Sequence, residues 1–323
     1  MRALVTGGAG FIGTNLIKRL TDEGHRVLSM DDYSTGKREN HLDEEENQVK
    51  YFKEDASWYS QQMFDLRLKS NIFWGYKDVN YKTPKDQRQP DIIFHLSAGT
   101  QIPKSLERPR SHIFNNYMGV LNVLEYSRKN GNIPVVFAGS ASRYGNVYDN
   151  PYAFSKYQGE QLCKMYSELY GVPTSVCRFF NVYGPNAPTE GQYVGVIGIF
   201  SRLFKEGRPL TITGDGTQTR DFIHVKDVVD GLVLCSNSYY ARDNSHTTFD
   251  FGTGKSYSLN EIANAFGENY PSTYIDERRG EIKHSVCDPT FTKEELGWET
   301  KIDVIDYIQN TYLWWTRDIK YQT

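Results

Sequence analysis

A short apolar run, Ala3-Leu4-Val5-Thr6, passes directly into Gly7-Gly8-Ala9-Gly10-Phe11-Ile12-Gly13 and then into a segment long enough for a helix. That junction constrains the fold more than any other stretch of the 323 residues. Glycines let a backbone turn sharply and approach a pyrophosphate, whose charge then faces the N-terminus of the following helix. Gly8, Gly10 and Gly13 spell G-x-G-x-x-G, a pattern that is weak alone and gains weight between a strand and a helix. Asp31 lies about 20 residues on, at the end of the next predicted strand, and Asp32 follows it. A carboxylate there accepts hydrogen bonds from ribose hydroxyls and repels a 2′-phosphate, which favours NAD over NADP. The bland alternatives are an ordinary tight turn and a strand-end surface acid.

Further apolar runs follow at Arg26–Asp31, Ile92–Leu96, Val135–Ala138 and Thr174–Phe180, separated by segments such as Phe11–Glu23 and Pro109–Lys129. Continuous apolar strands alternating with crossover helices fit a parallel sheet covered on both faces, so the expectation is a doubly wound α/β fold. After about Asn181 the pattern loosens, although Ser258 and Glu261 make a capping box for a helix over Ser258–Phe266. Trp58–Pro90 has little periodicity and reads as a surface or oligomer-facing insertion.

Composition removes several classes of function. Lys and Arg total 37 against 40 Asp and Glu, a net charge of −3, which argues against a chain-wide nucleic-acid or anionic-membrane surface. Cys163, Cys177, Cys235 and Cys287 form no C-x-x-C and read as reduced, buried thiols of a cytoplasmic protein. Met1-Arg2 leads straight into the first strand with no signal peptide, and no apolar run approaches the ~20 residues that cross a bilayer. His95, without partner ligands, reads as structural, Trp314-Trp315 as helix packing, and no metal is expected.

Tyr152-Ala153-Phe154-Ser155-Lys156 puts a phenol and an ammonium four residues apart, on one helix face. A free tyrosine ionises near pH 10 and must come down by ~3 to act as a base near neutrality, about 4 kcal/mol. A cation ~4 Å away at an effective dielectric of ~20 supplies about that much. Ser140 ends the buried run beginning at Val135, where the C-termini of sheet strands present ligand contacts; a turn cap is its alternative role.

Taken together these motifs resemble the extended short-chain dehydrogenase/reductases, specifically their NAD-dependent sugar-nucleotide epimerase/dehydratase branch. The likeness spans nearly the whole chain. It includes His95-Leu96-Ser97-Ala98, Asn115-Asn116-Tyr117-Met118-Gly119, Tyr144-Gly145, Arg178–Pro185 and Gly214–Phe222. It implies a Rossmann-like NAD domain over 1–180, with a returning segment at about 220–255, and a smaller C-terminal α/β substrate lobe formed by 181–219 and 256–323. Tyr152 would be the general base, Lys156 its electrostatic partner and ribose ligand, and Ser140 the proton relay. NAD would be held by Gly7, Gly10, Phe11, Ile12, Gly13, Asp31, Asp32, Tyr33, Thr35, Gly36, Asp55, Ala56, Leu96, Ser97, Ala98, Thr100, Asn115, Tyr152, Lys156 and Phe180. The sugar nucleotide would meet Ser140, Ser142, Tyr152, Asn181, Gly195, Val196, Thr211, Arg220, Arg278, Glu281 and Ser285.

The resemblance also bears on the reaction. The 4,6-dehydratases carry Thr-Asp-Glu where this chain has Ser140-Ala141-Ser142, and the UDP-glucuronate decarboxylases carry Glu at Ser142. Without those acids the implied chemistry is 4-epimerisation: hydride leaves sugar C4 for NAD, the 4-keto sugar rotates, and hydride returns to the other face. Seven positions past Arg278 stands Ser285, a small residue where enzymes restricted to UDP-Glc and UDP-Gal carry Tyr. This favours UDP-GlcNAc and UDP-GalNAc as the substrate pair. The alternatives are another sugar-nucleotide epimerase, acting on UDP-uronic acids or another nucleotide, and a non-catalytic NAD-binding sensor or scaffold. The resemblance further implies a homodimer pairing through the helices that begin near Pro109 and Tyr152. Only twelve positions separate Ser140 from Tyr152, fewer than in relatives, which either widens the mouth of the site or removes a surface excursion.

Overall fold

The computed structural model describes residues 1–53, 56, 89–190, 194–237, 245–277 and 283–319, with the backbone alone at 45 and 313–319. The chain runs β1 (Arg2–Thr6), α1 (Phe11–Asp22), β2 (Arg26–Asp31), α2 (Glu44–Asn47), β3 (Val49–Lys53) and β4 (Ile92–His95). Next come α3 (Ile102–Glu107), α4 (Pro109–Lys129), β5 (Val135–Ser140), a 3-10 turn at Ala141–Tyr144, α5 (Pro151–Tyr170) and β6 (Thr174–Phe179). Then follow β7 (Asn181–Tyr183), α6 (Val196–Lys205), β8 (Leu210–Thr213), β9 (Thr219–Arg220), β10 (Phe222–His224), α7 (Val225–Asn237) and β11 (His246–Phe251). The chain closes with β12 (Tyr257–Ser258), α8 (Leu259–Ala265), β13 (Ser272–Ile275), β14 (His284–Ser285), α9 (Thr290–Leu296) and α10 (Val304–Ile319).

Seven strands form one sheet in the order β11-β6-β5-β4-β1-β2-β3. β1 pairs in parallel with both β2 and β4, with Thr6 opposite Met30 on one side and His95 on the other. Strand order therefore reverses direction between β1 and β4, the switch point at which open α/β sheets bind ligands beyond their strand C-termini. The sequence explains the burial. Ala3, Leu4 and Val5 are wholly buried because helices cover both faces, and α1 sets Gly13, Leu16, Ile17 and Leu20 in one inward stripe. Leu4, Ile93, Leu124, Val135, Phe137 and Val176 share a core cluster, where truncating one large side chain to Ala costs ~2–5 kcal/mol.

Contacts divide the chain into two compact units, Met1–Arg178 with Leu232–Phe249, and Phe179–Gly231 with Asp250–Thr323. Residues 220–231 thus group with the second unit, where β10 pairs in parallel with β7 and β9 pairs with β12 and β14. The second unit has its own core, including Phe200, Leu210, Ile212, Phe222, Ile262 and Phe266. Ser258 caps α8 in a complete capping box with Glu261. The insertion read at Trp58–Pro90 lies outside the described residues except for its last two positions. Trp314 and Trp315 fall on α10, whose side chains there are likewise outside them. All four cysteines are free and buried, and no described helix is long and apolar enough to cross a membrane.

Candidate active site

The glycine loop sits at the switch point. Gly7 has φ 75° and its N–H donates to Met30 O at 2.7 Å, bending the chain off β1. A Cβ on Gly7 would stand 2.7 Å from Ser97 N, so this position brings the loop against the segment that follows β4. A Cβ on Gly13 would collide with Gly7 O and lie 2.7 Å from Gly8 Cα, so helix and loop meet only through glycine. Gly10 is the N-cap of α1, with Phe11 and Ile12 forming its open first turn. These features fit a pyrophosphate: backbone N–H groups at a helix start and no side chain in the way.

Asp31 is 7% exposed, and its carboxylate accepts the N–H of Ala9 at 2.9 Å and of Tyr33 at 2.8 Å. Burial raises its pKa, and the two backbone bonds act against that rise. The acid therefore ties the glycine loop to the segment after β2. Asp32 is exposed and accepts the Ser34 N–H at 2.8 Å, Tyr33 has φ 61°, and Thr35 is exposed. Gly36 packs on Ala9, and the Lys37 N–H donates to Ala9 O at 3.1 Å. Ala56 is buried and its carbonyl accepts from Asn122 Nδ2 at 2.8 Å. Leu96 N–H donates to Thr6 O at 3.0 Å, the Ser97 hydroxyl donates to Thr6 Oγ1 at 3.1 Å, Ala98 is half-buried and Thr100 exposed. Asp55 lies outside the described residues.

Ser140 ends β5, as the buried run beginning at Val135 predicts. Its Oγ accepts the Ser142 N–H at 3.2 Å, capping the 3-10 turn, and also the Tyr152 hydroxyl at 3.3 Å. Turn cap and phenol partner are thus one atom. Asn150 caps α5 by accepting the Ala153 N–H at 2.8 Å, and Pro151 opens the helix, which sets Tyr152 in its first turn. Lys156, one turn on, is 5% exposed and donates to Ala138 O at 2.7 Å. Burial lowers its pKa to about 8.

One expectation is corrected here. The four-residue spacing was to let Lys156 draw the phenol down, but the Tyr152 pKa is raised by burial, opposed by the Ser140 bond. The ammonium is engaged with the Ala138 carbonyl, and Lys156 is not among the groups shifting Tyr152. Ser142 is half-buried and its Oγ meets no partner among the described residues.

Two side chains here escaped the sequence reading. Asn116 Oδ1 accepts the Gly99 N–H at 2.7 Å, while its amide donates to Gly99 O at 3.1 Å and to Ser155 Oγ at 2.9 Å. It joins the loop after β4, α4 and α5. Its neighbour Asn115, the cofactor candidate, is exposed. His112, one turn before Asn116, sets its ring edge to Tyr152 with centroids 6.1 Å apart. The signal available was the four-residue spacing of His112 and Asn116. His95 is structural: it is buried, bonds Thr6 Oγ1 through Nδ1 at 2.7 Å, and burial lowers its pKa to about 3.

In the second unit, Phe180 is buried and its N–H donates to Phe251 O at 3.1 Å. Asn181 opens β7, Gly195 caps α6, Val196 begins that helix, and Thr211 is half-buried in β8. Arg220 and Ser285 are register partners in the parallel β9·β14 pair. Arg278 and Glu281 lie outside the described residues.

A glycine-cornered helix start at the switch point of a doubly wound sheet, with a Ser, Tyr and Lys gathered beyond an adjacent strand, defines a dinucleotide-dependent enzyme of the Rossmann class. Residues 3–249 match the model of the NAD dependent epimerase/dehydratase family. The chain belongs to that family, and its cofactor is NAD. It is 32% identical over 332 residues to a UDP-glucose 4-epimerase of Mycolicibacterium smegmatis, covering 96% of this chain and 97% of the relative. Among solved structures it is similar to a UDP-glucose 4-epimerase from Thermotoga maritima with UDP-glucose, at a TM-score of 0.82 and 28% identity, covering 99% and 100% of the two chains. A UDP-N-acetylglucosamine 4-epimerase from Methanobrevibacter ruminantium, in complex with UDP-N-acetylmuramic acid, gives 0.81 and 27%, covering 98% of each.

Proposed function

We propose that this enzyme interconverts the C4 epimers of a UDP-hexose, with UDP-GlcNAc and UDP-GalNAc as its preferred pair. The observation that carries the reading is the Tyr152 hydroxyl 3.3 Å from Ser140 Oγ, with Lys156 buried one turn below. Gly7, Gly10, Gly13 and Asp31 would hold the cofactor. NAD, when bound, supplies the hydride acceptor and donor. The chain handles the proton. Tyr152 takes it from the sugar's 4-hydroxyl and later gives it back, and Ser140 bridges phenol and substrate oxygen. Lys156, which in this structure donates to Ala138 O, would favour the phenolate only with its ammonium turned toward the phenol and the cofactor ribose. No carboxylate stands at Ala141 or Ser142 to expel water or assist decarboxylation, which supports epimerisation over those reactions.

The N-acetyl preference rests on Ser285. An acetamido group adds several heavy atoms over a hydroxyl, and a close-packed site does not absorb them beside a phenol ring. Similarity both to UDP-glucose and to UDP-N-acetylglucosamine epimerases keeps both pairs within reach of this family. Incubating the protein with UDP-GlcNAc and UDP-Glc separately, and following each C4 epimer by NMR, tests the reading. Ser285→Tyr is expected to abolish turnover of the acetylated pair and spare the other; equal losses on both would remove Ser285 from this role. A homodimer through α4 and α5 belongs to the same reading, supported by exposed Phe114 on the first and exposed Met165 and Leu169 on the second. Four free, buried thiols suit a reducing, cytoplasmic setting.

A further inference from the structure

Asp221 follows Arg220 and is wholly buried. A buried carboxylate must be met by donors, and these come from two separated segments. Oδ1 accepts the Thr253 N–H at 2.9 Å and the Thr253 hydroxyl at 2.8 Å. Oδ2 accepts the Gly254 N–H at 2.9 Å and the Cys287 N–H at 3.1 Å, and shares the Thr253 N–H at 3.1 Å. The peptide groups of the same residue are equally engaged. Its N–H donates to Ser285 O at 3.0 Å. Its carbonyl accepts the Asn181 N–H at 3.2 Å and the Asn181 side-chain amide at 2.7 Å.

The three described candidates for the sugar nucleotide on β7, β9 and β14 are therefore all fastened to one residue. Asn181 is oriented by the Asp221 carbonyl, which leaves one amide N–H and Oδ1 to face a ligand. Arg220 is its chain neighbour. Ser285 is held at its carbonyl, and Cys287, two residues on, is held by the carboxylate. We propose that Asp221 is the positioning residue of the UDP-sugar site, setting Asn181, Arg220 and Ser285 in the register that binds the nucleotide sugar; this rests on the UDP-sugar reading above. Its carboxylate faces donors on every described side, so a neutral amide cannot replace it: one oxygen becomes an N–H group pointing at another N–H.

The test uses the full-length protein and UDP as probe. Asp221→Asn is expected to raise the Kd for UDP in calorimetry, and the KM for the UDP-sugar, by about tenfold or more. Bound NAD and kcat should stay within about threefold of wild type, since the carboxylate serves binding and not proton transfer. Thr253→Val, which deletes one donor, should raise the Kd by about two- to fivefold, and Thr253→Ser, which keeps the hydroxyl, should restore it. This milder pair decides the matter if Asp221→Asn fails to fold. Unchanged UDP affinity in a folded Asp221→Asn or in Thr253→Val overturns the proposal, as does a fall in kcat at constant KM. Failure of the wild-type chain to bind UDP at all overturns the UDP-sugar reading itself, and Asp221 then has no such site to position.

Discussion

Tyr152 is held in its ground state as a neutral phenol. Burial raises its pKa, and the single described partner at its oxygen is the Ser140 hydroxyl. Lys156, lowered to about 8, is still mostly a cation at neutral pH and sits one helical turn away. Tyr152→Phe is expected to retain fold and bound NAD while turnover falls by roughly 10²–10⁴; steady-state kinetics within tenfold of wild type would exclude the phenol as base. Lys156→Met should lose activity and also NAD content, read from the absorbance of nucleotide released on denaturation. Asp31 carries a second prediction. If its carboxylate and that of Asp32 face the adenosine ribose, as the reading above proposes, a 2′-phosphate there would meet like charge, at a cost of several kcal/mol when partly desolvated. After stripping, NAD should restore activity and NADP should not; equal restoration would show that neither acid reads the ribose.

At the scale of the element, α5 carries Tyr152 and Lys156, the proposed reactive pair, and its start is set by Asn150 and Pro151. Removing the cap in Asn150→Ala should cost about 1 kcal/mol of stability, read as a lower urea midpoint at unchanged m. Because Tyr152 lies in that first turn, fraying there should also lower kcat. A full stability loss with unaltered turnover would separate the cap from the site. The 3-10 turn after β5 works at the other end: the Ser140 oxygen that caps it also meets Tyr152, so β5 and α5 are coupled through one hydroxyl. α4 supplies the third support, with Asn116 bonded to both Gly99 and Ser155.

Across the whole molecule, buried neutral histidines tie stability to pH. His95 in the first unit is lowered to about 3 and His224 in the second to about 4, in both cases chiefly by burial. A histidine near 6.5 when unfolded takes a proton there that the folded protein refuses, so stability falls as pH drops below about 6.5. At pH 4.5 each should cost the fold about 2–3 kcal/mol relative to pH 7. Urea midpoints at the two pH values should differ less in His224→Gln than in wild type. An equal difference in both would mean that His224 is protonated in the folded state.

Much of this molecule is local in origin and therefore readable from the chain. The Ala3–Thr6 run, the glycine turn and the strand ending at Asp31 depend on neighbours a few residues apart. So do the Tyr152/Lys156 spacing and the Ser258/Glu261 capping box, and all five stand in the structure as elements or bonds. What only the tertiary structure decided involves residues far apart. The return of His246–Phe251 to the sheet beside β6 has no local signal and is implied only by the resemblance, as a segment returning at about 220–255; the meeting of Asn116 with Gly99 and Ser155 has neither source. The gathering of 181, 253–254 and 285–287 on Asp221 is of the same kind. The direction of the Tyr152 shift belongs here too, because desolvation is set by everything packed around a group and not by its spacing from one cation. Sequence periodicity assigns faces and elements; which polar atoms meet in the interior follows from the close packing of those elements.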